Sequence, residues 1–153
     1  MEKMKIMLVD DEERFLATTQ KLLAKKGLDV VTAASGTEAL DVLNHKHIHV
    51  VILDVKMPGM DGNETLREIK TRFPLVEVIM LTGHATVESA IDGLKSGATD
   101  YLMKPTGIDE LIEKATEAFE KRQRLEEKIR LAQARTFMKS PREILKEAEK
   151  PDV

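Results

Sequence analysis

The sequence predicts an α/β fold in which helices cover both faces of a parallel β-sheet. Short aliphatic runs alternate five times with stretches whose apolar residues recur at helical spacing. The connections between them are short, so each right-handed crossover must return over the sheet. One run, Val50–Leu53, is wholly aliphatic, which is typical of a central strand buried on both faces.

Three of the predicted strands and two of the helices lie in the first half of the chain. The acidic residues 10–12 provide the cap and first turn of the first helix, which Gly27 ends. Ser35, with Glu38 three positions later, indicates a capping box at the start of the second helix. The three strands are predicted at residues 6–9, 30–31 and 50–53.

The second half of the chain continues the alternation with two strands and three helices. Residues 56–62 contain one Pro and two Gly, so the chain leaves the third strand in a sharp loop before a helix that begins near Asn63. Gly97 ends the fourth helix, and the fifth begins near Ile108. The last two strands are predicted at residues 76–81 and 101–103. The result is a doubly wound (βα)5, flavodoxin-like sheet with strand order 2-1-3-4-5.

Composition restricts the class of protein before any motif is considered. The chain of 153 residues is 42% hydrophobic and 33% charged, which suits one domain with a buried core and a polar extension. A net charge of −3 gives no electrostatic reason to expect binding to nucleic acid or to an anionic membrane. The chain has no Cys and no apolar run of the ~18 residues that a membrane span needs, so we expect a cytoplasmic protein.

Three carboxylates are predicted to meet at one edge of this sheet. Ligands of such folds bind beyond the carboxyl ends of the strands, where Asp10 and Asp11 follow the first strand and Asp54 follows the third. At ~4 Å these charges would repel by several kcal/mol per pair, so folding them together requires a proton or a cation. Oxygen ligands without nearby His or Cys favour Mg²⁺, or Mn²⁺, over Zn²⁺. The alternative is that Asp10 and Asp11 only cap the first helix.

A hydroxyl group and an ammonium group are predicted at the same edge. Thr82 ends the fourth strand, and Lys104 follows the fifth. With the acids they suit a phosphoryl group, because an oxygen of Asp54 can attack phosphorus and form an acyl phosphate. A metal ion and Lys104 would then neutralise the transferring group, and Thr82 would donate a hydrogen bond. Taken singly, Lys104 could be an ordinary ion-pair partner and Thr82 an ordinary strand end.

In type and order, these residues resemble the receiver domain of two-component response regulators. The resemblance covers residues 4–121, so we expect a receiver domain at 1–121 and a charged helical extension at 122–153. The motifs that carry it are, in chain order, Asp10-Asp11, Asp54, Met57-Pro58-Gly59-Met60-Asp61-Gly62, Thr82-Gly83, and Tyr101 with Lys104-Pro105.

The resemblance implies a phosphoryl-accepting signalling domain, not an enzyme. Asp54 would accept the phosphoryl group from a histidine kinase or a histidine phosphotransfer protein. Asp10 and Asp11 would hold Mg²⁺ together with Asp54 and the main-chain carbonyl of Lys56.

The resemblance also implies a mechanism for passing the signal on. Thr82 and Lys104 would grip the phosphoryl oxygens, with a cis peptide bond before Pro105 aiming Lys104 into the site. Thr82 would move toward the phosphoryl group, and the ring of Tyr101 would turn inward to fill the space. That movement would remodel a surface made by helix four, strand five and helix five, which would bind a downstream protein or a second copy of the chain.

The extension at residues 122–153 has its own pattern. It contains 9 Lys and Arg against 6 Asp and Glu, a net charge of +3. Apolar residues recur at alternating spacings of four and three from the fifth helix into the extension, which predicts the seam of a short parallel coiled coil between two chains. The alternative is a solvated, charged helix. The seam consists of Ile108, Leu111, Ala115, Ala118, Arg122, Leu125, Ile129 and Ala132.

Two other functions are compatible with parts of this pattern. An aspartyl-phosphate phosphatase of the haloacid dehalogenase type also uses an Asp nucleophile and Mg²⁺, but it needs a second Asp where this chain has Lys56. An adaptor of the same fold that is never phosphorylated would leave the cluster of acidic, hydroxyl and ammonium groups unexplained.

Overall fold

The computed structural model describes residues 2–55, 57, 59–83 and 86–137. The chain divides into two compact units, Met1–Arg122 and Gln123–Val153. The sheet and all the residues of the candidate site belong to the first unit. The predicted boundary at residue 121 stays a prediction.

A sheet of five parallel strands forms the centre of the first unit, in the predicted order β2-β1-β3-β4-β5. The strands are β1 Lys5–Val9, β2 Asp29–Ala33, β3 Val50–Leu53, β4 Glu77–Thr82 and β5 Asp100–Met103. Val9 is in register with Leu53 across β1 and β3. The residues that follow these two strands, Asp10 and Asp54, therefore leave the sheet side by side at its C-terminal edge.

Within the residues that the structure describes, five helices alternate with the strands. They are α1 Glu13–Lys25, α2 Gly36–His45, α3 Gly62–Arg72, α4 Val87–Lys95 and α5 Ile108–Phe137. As predicted, the Ser35 hydroxyl caps α2 by accepting a hydrogen bond from the Glu38 N–H at 3.1 Å. The Glu38 carboxylate reaches the N–H of Ala34 instead of that of Ser35. None of the helices in the described part of the chain has the length and apolar character needed to cross a bilayer.

The core is split between the two faces of the sheet because successive strand residues point to opposite sides. On β3, Val51 and Leu53 pack with α2 and α3, whereas Val50 and Ile52 pack with α1 and α5. All four residues of β3 are buried, which explains why this strand reads as an unbroken aliphatic run. Helices on both faces confirm the doubly wound prediction.

The long helix α5 shows that the predicted coiled-coil seam divides into two parts. Leu111 and Ala115 are buried in the core of their own chain and cannot face a second chain. Arg122 is also buried, and its guanidinium donates a hydrogen bond of 2.7 Å to the carbonyl oxygen of Ile48. The seam residues Leu125 and Ile129 remain partly exposed, at 39% and 38%. The upstream part of the seam thus belongs to the fold and not to an interface.

Two neighbouring leucines of α1 provide a direct test of this packing. Leu23 is fully buried and Leu22 is 42% exposed, although both are leucines in the same helix. Leu23→Ala should lower the free energy of unfolding by about 2–5 kcal/mol because it leaves a cavity in the core. Leu22→Ala should lower it by less than about 1 kcal/mol. Urea denaturation measures both, and equal losses would show that α1 does not pack on the sheet as described.

Candidate functional site

Three carboxylates meet at the C-terminal edge of the sheet, as the strand order predicted. One oxygen from each of Asp10, Asp11 and Asp54 lies within 4.8 Å of the others. Asp10 and Asp54 are buried, at 1% and 6% exposure, whereas Asp11 is exposed. The cluster therefore has a desolvated inner pair and an outer member that faces water.

The main chain holds the two buried acids in place. The N–H of Asp54 donates to the carbonyl oxygen of Val9 at 2.9 Å, and the N–H of Asp10 donates to that of Ala33 at 3.1 Å. Each bond extends the parallel ladder by one residue beyond the strand. The position of each carboxylate is thereby tied to the neighbouring strand and not to a loose loop.

The alternative role of Asp10 and Asp11 as helix caps does not describe this geometry. The N-cap residue of α1 is Glu12, whose side chain makes no capping hydrogen bond. The Oδ1 atom of Asp10 accepts a hydrogen bond of 2.9 Å from the N–H of Glu12. This bond orients the carboxylate of Asp10 and leaves its second oxygen facing the site.

Lys104 reaches the cluster from the end of β5. Its Nζ donates to Oδ2 of Asp10 at 2.5 Å and lies 3.8 Å from Oε1 of Glu12. The ammonium group also lies 4.1 Å from the ring centroid of Phe15. The peptide bond between Lys104 and Pro105 is cis, as the resemblance implied. An ordinary ion pair is the alternative role that the sequence predicts for Lys104. That ion pair is present, and its partner Asp10 is a member of the acidic cluster.

The pKa of Asp54 shows how the surrounding groups act on its charge. Burial raises the pKa of this carboxyl group above its ordinary value of 3.8, and the charge of Asp10 raises it further. The charge of Lys104 and hydrogen bonds from the Thr82 hydroxyl and the Val55 N–H lower it, but the raising effects prevail. The ionised site is therefore short of positive charge.

Gly62 allows the first turn of α3 to lie against the loop that follows Asp54. Its N–H donates to the carbonyl oxygen of Val55 at 2.8 Å. A Cβ atom at this position would overlap the main-chain oxygen of Asp54 and the Cα of Val55. Any larger residue would therefore force the main chain at Asp54 and Val55 to shift. Lys56, whose carbonyl was expected to bind the metal, lies outside the described residues.

The aromatic residue of the motif set, Tyr101, lies in the edge strand β5, which β4 separates from β3. It is partly buried, and its hydroxyl lies 3.1 Å from Oγ of Ser89 in the first turn of α4. Sequence reasoning missed Ser89, and it treated Glu12 only as part of a helix cap. The available signal was the spacing of Thr86 and Ser89, which is typical of a helix N-terminus.

The donor set of the cluster fits a hard divalent cation. Asp10, Asp11 and Asp54 offer only carboxylate oxygens, which Mg²⁺ and Mn²⁺ prefer. Two buried acids facing one another repel by ~3 kcal/mol at an effective dielectric of ~20, so a cation between them would be stabilising.

A second group of possible ligands, Glu2, His47 and His49, lies at the opposite edge of the sheet and does not fit a metal. The N–H of Lys5 donates to Nδ1 of His49, so the proton of the neutral imidazole must sit on Nε2. That Nε2 atom lies 2.9 Å from the Glu2 carboxylate. In this tautomer Nε2 carries the proton and Nδ1 uses its lone pair on the Lys5 N–H, so neither nitrogen has a lone pair free for a metal ion.

Comparison with known proteins identifies the family to which a chain with this acidic cluster belongs. The family model of the response regulator receiver domain matches residues 6–116, a range that includes every motif of the site. The chain belongs to this family. Receiver domains are signalling modules of two-component systems rather than catalysts, and they generally partner with histidine kinases.

Individual relatives show the same relationship. The transcriptional regulatory protein ZraR of Klebsiella oxytoca is 41% identical over 110 residues, 72% of this chain and 25% of that protein. The transcriptional regulator NtrC of Escherichia coli K12 is 37% identical over 121 residues, 77% of this chain and 26% of that protein. The chain thus spans about a quarter of the length of these relatives.

A solved receiver domain matches over nearly its whole length. The crystal structure of a response regulator receiver domain protein from Clostridium thermocellum is 40% identical and has a TM-score of 0.76. The match covers 80% of this chain and 98% of that one. The receiver fold described above is therefore shared with a stand-alone receiver structure.

Removing the acid at the centre of the cluster should stabilise the metal-free receiver domain. The folded-state pKa of Asp54 lies above its unfolded value, so ionising this group lowers stability as the pH rises through the folded-state pKa. With EDTA at neutral pH, Asp54→Asn should therefore have a higher urea midpoint than the wild type. The advantage should disappear as the pH falls below 3.8, where the wild-type carboxyl is neutral in both states.

Asp61→Asn is the matched control for this measurement, because Asp61 is exposed and Asn can still cap α3. It should leave the midpoint almost unchanged at both pH values. An Asp54→Asn protein that is less stable than the wild type at neutral pH would contradict the electrostatic description of the site.

Proposed function

We propose that Asp54 accepts a phosphoryl group from the phosphohistidine of a histidine kinase or a histidine phosphotransfer protein. The supporting observation is the cluster of Asp10, Asp11 and Asp54 with the Lys104 ammonium group inside it. No helix of the described residues spans a membrane and the chain has no Cys, so we place this reaction in the cytoplasm.

A divalent cation completes this proposal. Asp10, Asp11 and Asp54 would hold Mg²⁺, or Mn²⁺, and the main-chain carbonyl of Lys56 is the proposed fourth ligand from the protein. When bound, the ion supplies positive charge to the oxygens of the transferring phosphoryl group.

The remaining steps belong to the residues of the chain. An oxygen of Asp54 attacks phosphorus, the bond from phosphorus to the donor imidazole nitrogen breaks, and the imidazole leaves with the electron pair. The Thr82 hydroxyl, which bonds to Asp54 in the resting state, donates to a phosphoryl oxygen. Lys104 exchanges its bond to Asp10 for one to another phosphoryl oxygen, which leaves the Asp10 carboxylate to the cation.

The output surface that we propose lies on α4 and β5. Val87, Ile91 and Leu94 of α4 are 78%, 46% and 48% exposed, and Met103 of β5 is 57% exposed. Large apolar side chains grouped in this way are typical of protein-binding surfaces. We propose that this face, with the adjoining part of α5, binds a downstream protein or a second copy of the chain.

The substitution Ile91→Asp tests this surface by placing a charge at its centre. Loss of the phosphorylation-dependent binding of the downstream protein, or of the second copy, would support the proposed role of the surface. Unchanged binding would contradict it.

Tyr101 is the residue through which we propose that phosphorylation reaches this surface. When Thr82 turns toward the phosphoryl group, the ring of Tyr101 moves inward into the space beside it. For self-association through the extension, we propose the part of the seam beyond Arg122, where Leu125 and Ile129 are the exposed large apolar residues. A dimer formed through so few residues should be weak.

Covalent labelling tests the proposed acceptor directly. Wild-type protein treated with a small phosphodonor such as acetyl phosphate and Mg²⁺ should gain the mass of one phosphoryl group. Asp54→Asn should gain none, because its amide cannot form an acyl phosphate. Asp61→Asn, which makes the same change a few residues away on an exposed loop, should label like the wild type. Intact-mass spectrometry measures all three, and equal labelling of the Asp54→Asn protein would refute the assignment of the acceptor.

The role of Lys104 can be separated from general charge effects. Lys104→Ala should slow labelling about tenfold or more, because the transferring group loses the only side-chain ammonium that the described site provides. Lys114→Ala removes an ammonium group that pairs with Asp100 on the surface and should label at the wild-type rate. The time course of labelling distinguishes the two variants. Equal rates for the two would remove Lys104 from the reaction.

A further inference from the structure

The hydroxyl group of Tyr101 joins β5 to the first turn of α4. It lies 3.1 Å from Oγ of Ser89, and both side chains are partly buried. The ring of Tyr101 covers Gly93, one turn further along the same face of α4, where a Cβ atom would lie 3.4 Å from two ring carbons. The ring therefore lies along α4 from Ser89 to Gly93, and Gly93 leaves the space that it occupies.

The hydroxyl of Ser89 has all its hydrogen-bonding capacity in use. It accepts a bond of 3.0 Å from the Thr86 N–H and donates one of 3.1 Å to the Thr86 carbonyl oxygen. A serine hydroxyl offers one donor and two acceptor positions, so these three contacts match its capacity.

The bond connects Tyr101 to a helix cap and not to an isolated side chain. Thr86 and Ser89 form a reciprocal capping box, in which the Thr86 hydroxyl accepts from the Ser89 N–H at 3.0 Å. This cap begins three residues after Gly83, which follows Thr82 at the end of β4. A ring that turns inward must break its bond to this cap.

We propose that Ser89 is a positioning residue that holds Tyr101 in its resting orientation and so opposes the phosphorylated state. This inference rests on the function proposed above and adds to it a residue that sets the switching equilibrium. A bond made only in the resting state stabilises that state and lowers the affinity for a phosphoryl group. Removing either partner should raise that affinity by about two- to tenfold, the range expected for one neutral hydrogen bond.

The test measures the affinity for beryllofluoride, which mimics a phosphoryl group on a carboxylate, by calorimetry with Mg²⁺ present. Ser89→Ala and Tyr101→Phe should each bind it about two- to tenfold more tightly than the wild type. The double variant should bind no more tightly than the single ones, because both remove the same bond. Ser89→Thr keeps the hydroxyl and should restore the wild-type affinity.

A second readout observes the ring itself. Tyr101 is the one tyrosine of a sequence that has no tryptophan, so its fluorescence reports on this side chain alone. In the absence of beryllofluoride, Ser89→Ala should shift this fluorescence toward that of the beryllofluoride-bound wild type. A loss of helix capping without a change in the ring would not produce this shift.

The outcomes separate this proposal from the function on which it rests. A wild type that does not bind beryllofluoride overturns both. If the wild type binds, the role of Ser89 is overturned by unchanged or weaker affinity in Ser89→Ala. It is also overturned if Ser89→Ala has its full effect in the Tyr101→Phe background, since Ser89 would then act only through the helix cap.

Discussion

The repulsion between the buried carboxylates of Asp10 and Asp54 is the interaction on which the rest of the site depends. Each acid follows a central strand, and a main-chain hydrogen bond to the neighbouring strand holds it in place. The sheet therefore keeps together two charges that would separate in a flexible loop. The repulsion is offset by burial of the aliphatic side chains on both faces of the sheet. This burial stabilises the fold more than the repulsion destabilises it.

The other groups of the site can be understood as responses to this excess of negative charge. Lys104 pairs with Asp10, and the Thr82 hydroxyl bonds to Asp54, yet the pKa of Asp54 remains raised. A divalent cation bound by the acids would supply the missing positive charge. A phosphoryl group on Asp54 would then give Lys104 a negatively charged partner in place of Asp10. In the function proposed above, a change at the acidic edge would reach the cap that binds Tyr101, because Thr82 lies only four residues before Thr86 in the chain.

The sequence predicts the strands better than the side-chain pairs. Val50–Leu53 is found at its predicted bounds because an unbroken aliphatic run can be satisfied only inside a sheet. The meeting of Asp10 with Asp54 follows from strand order alone. The bond from Tyr101 to Ser89 was missed because it depends on side-chain packing, which no local pattern records. The sequence predicts that the seam from Ile108 packs against a second chain, whereas its upstream part packs in the core of its own chain. Apolar periodicity alone does not distinguish these two kinds of packing.

The dependence of stability on Mg²⁺ tests the central claim most directly. If a cation relieves the repulsion at Asp10 and Asp54, the free energy of unfolding must rise with Mg²⁺ concentration as expected for one ion bound to the folded chain. Urea titrations in MgCl2, compared with NaCl at equal ionic strength, measure this dependence. The account predicts a rise in MgCl2 that is absent in NaCl and is lost in Asp54→Asn. Equal stability in the two salts would contradict it.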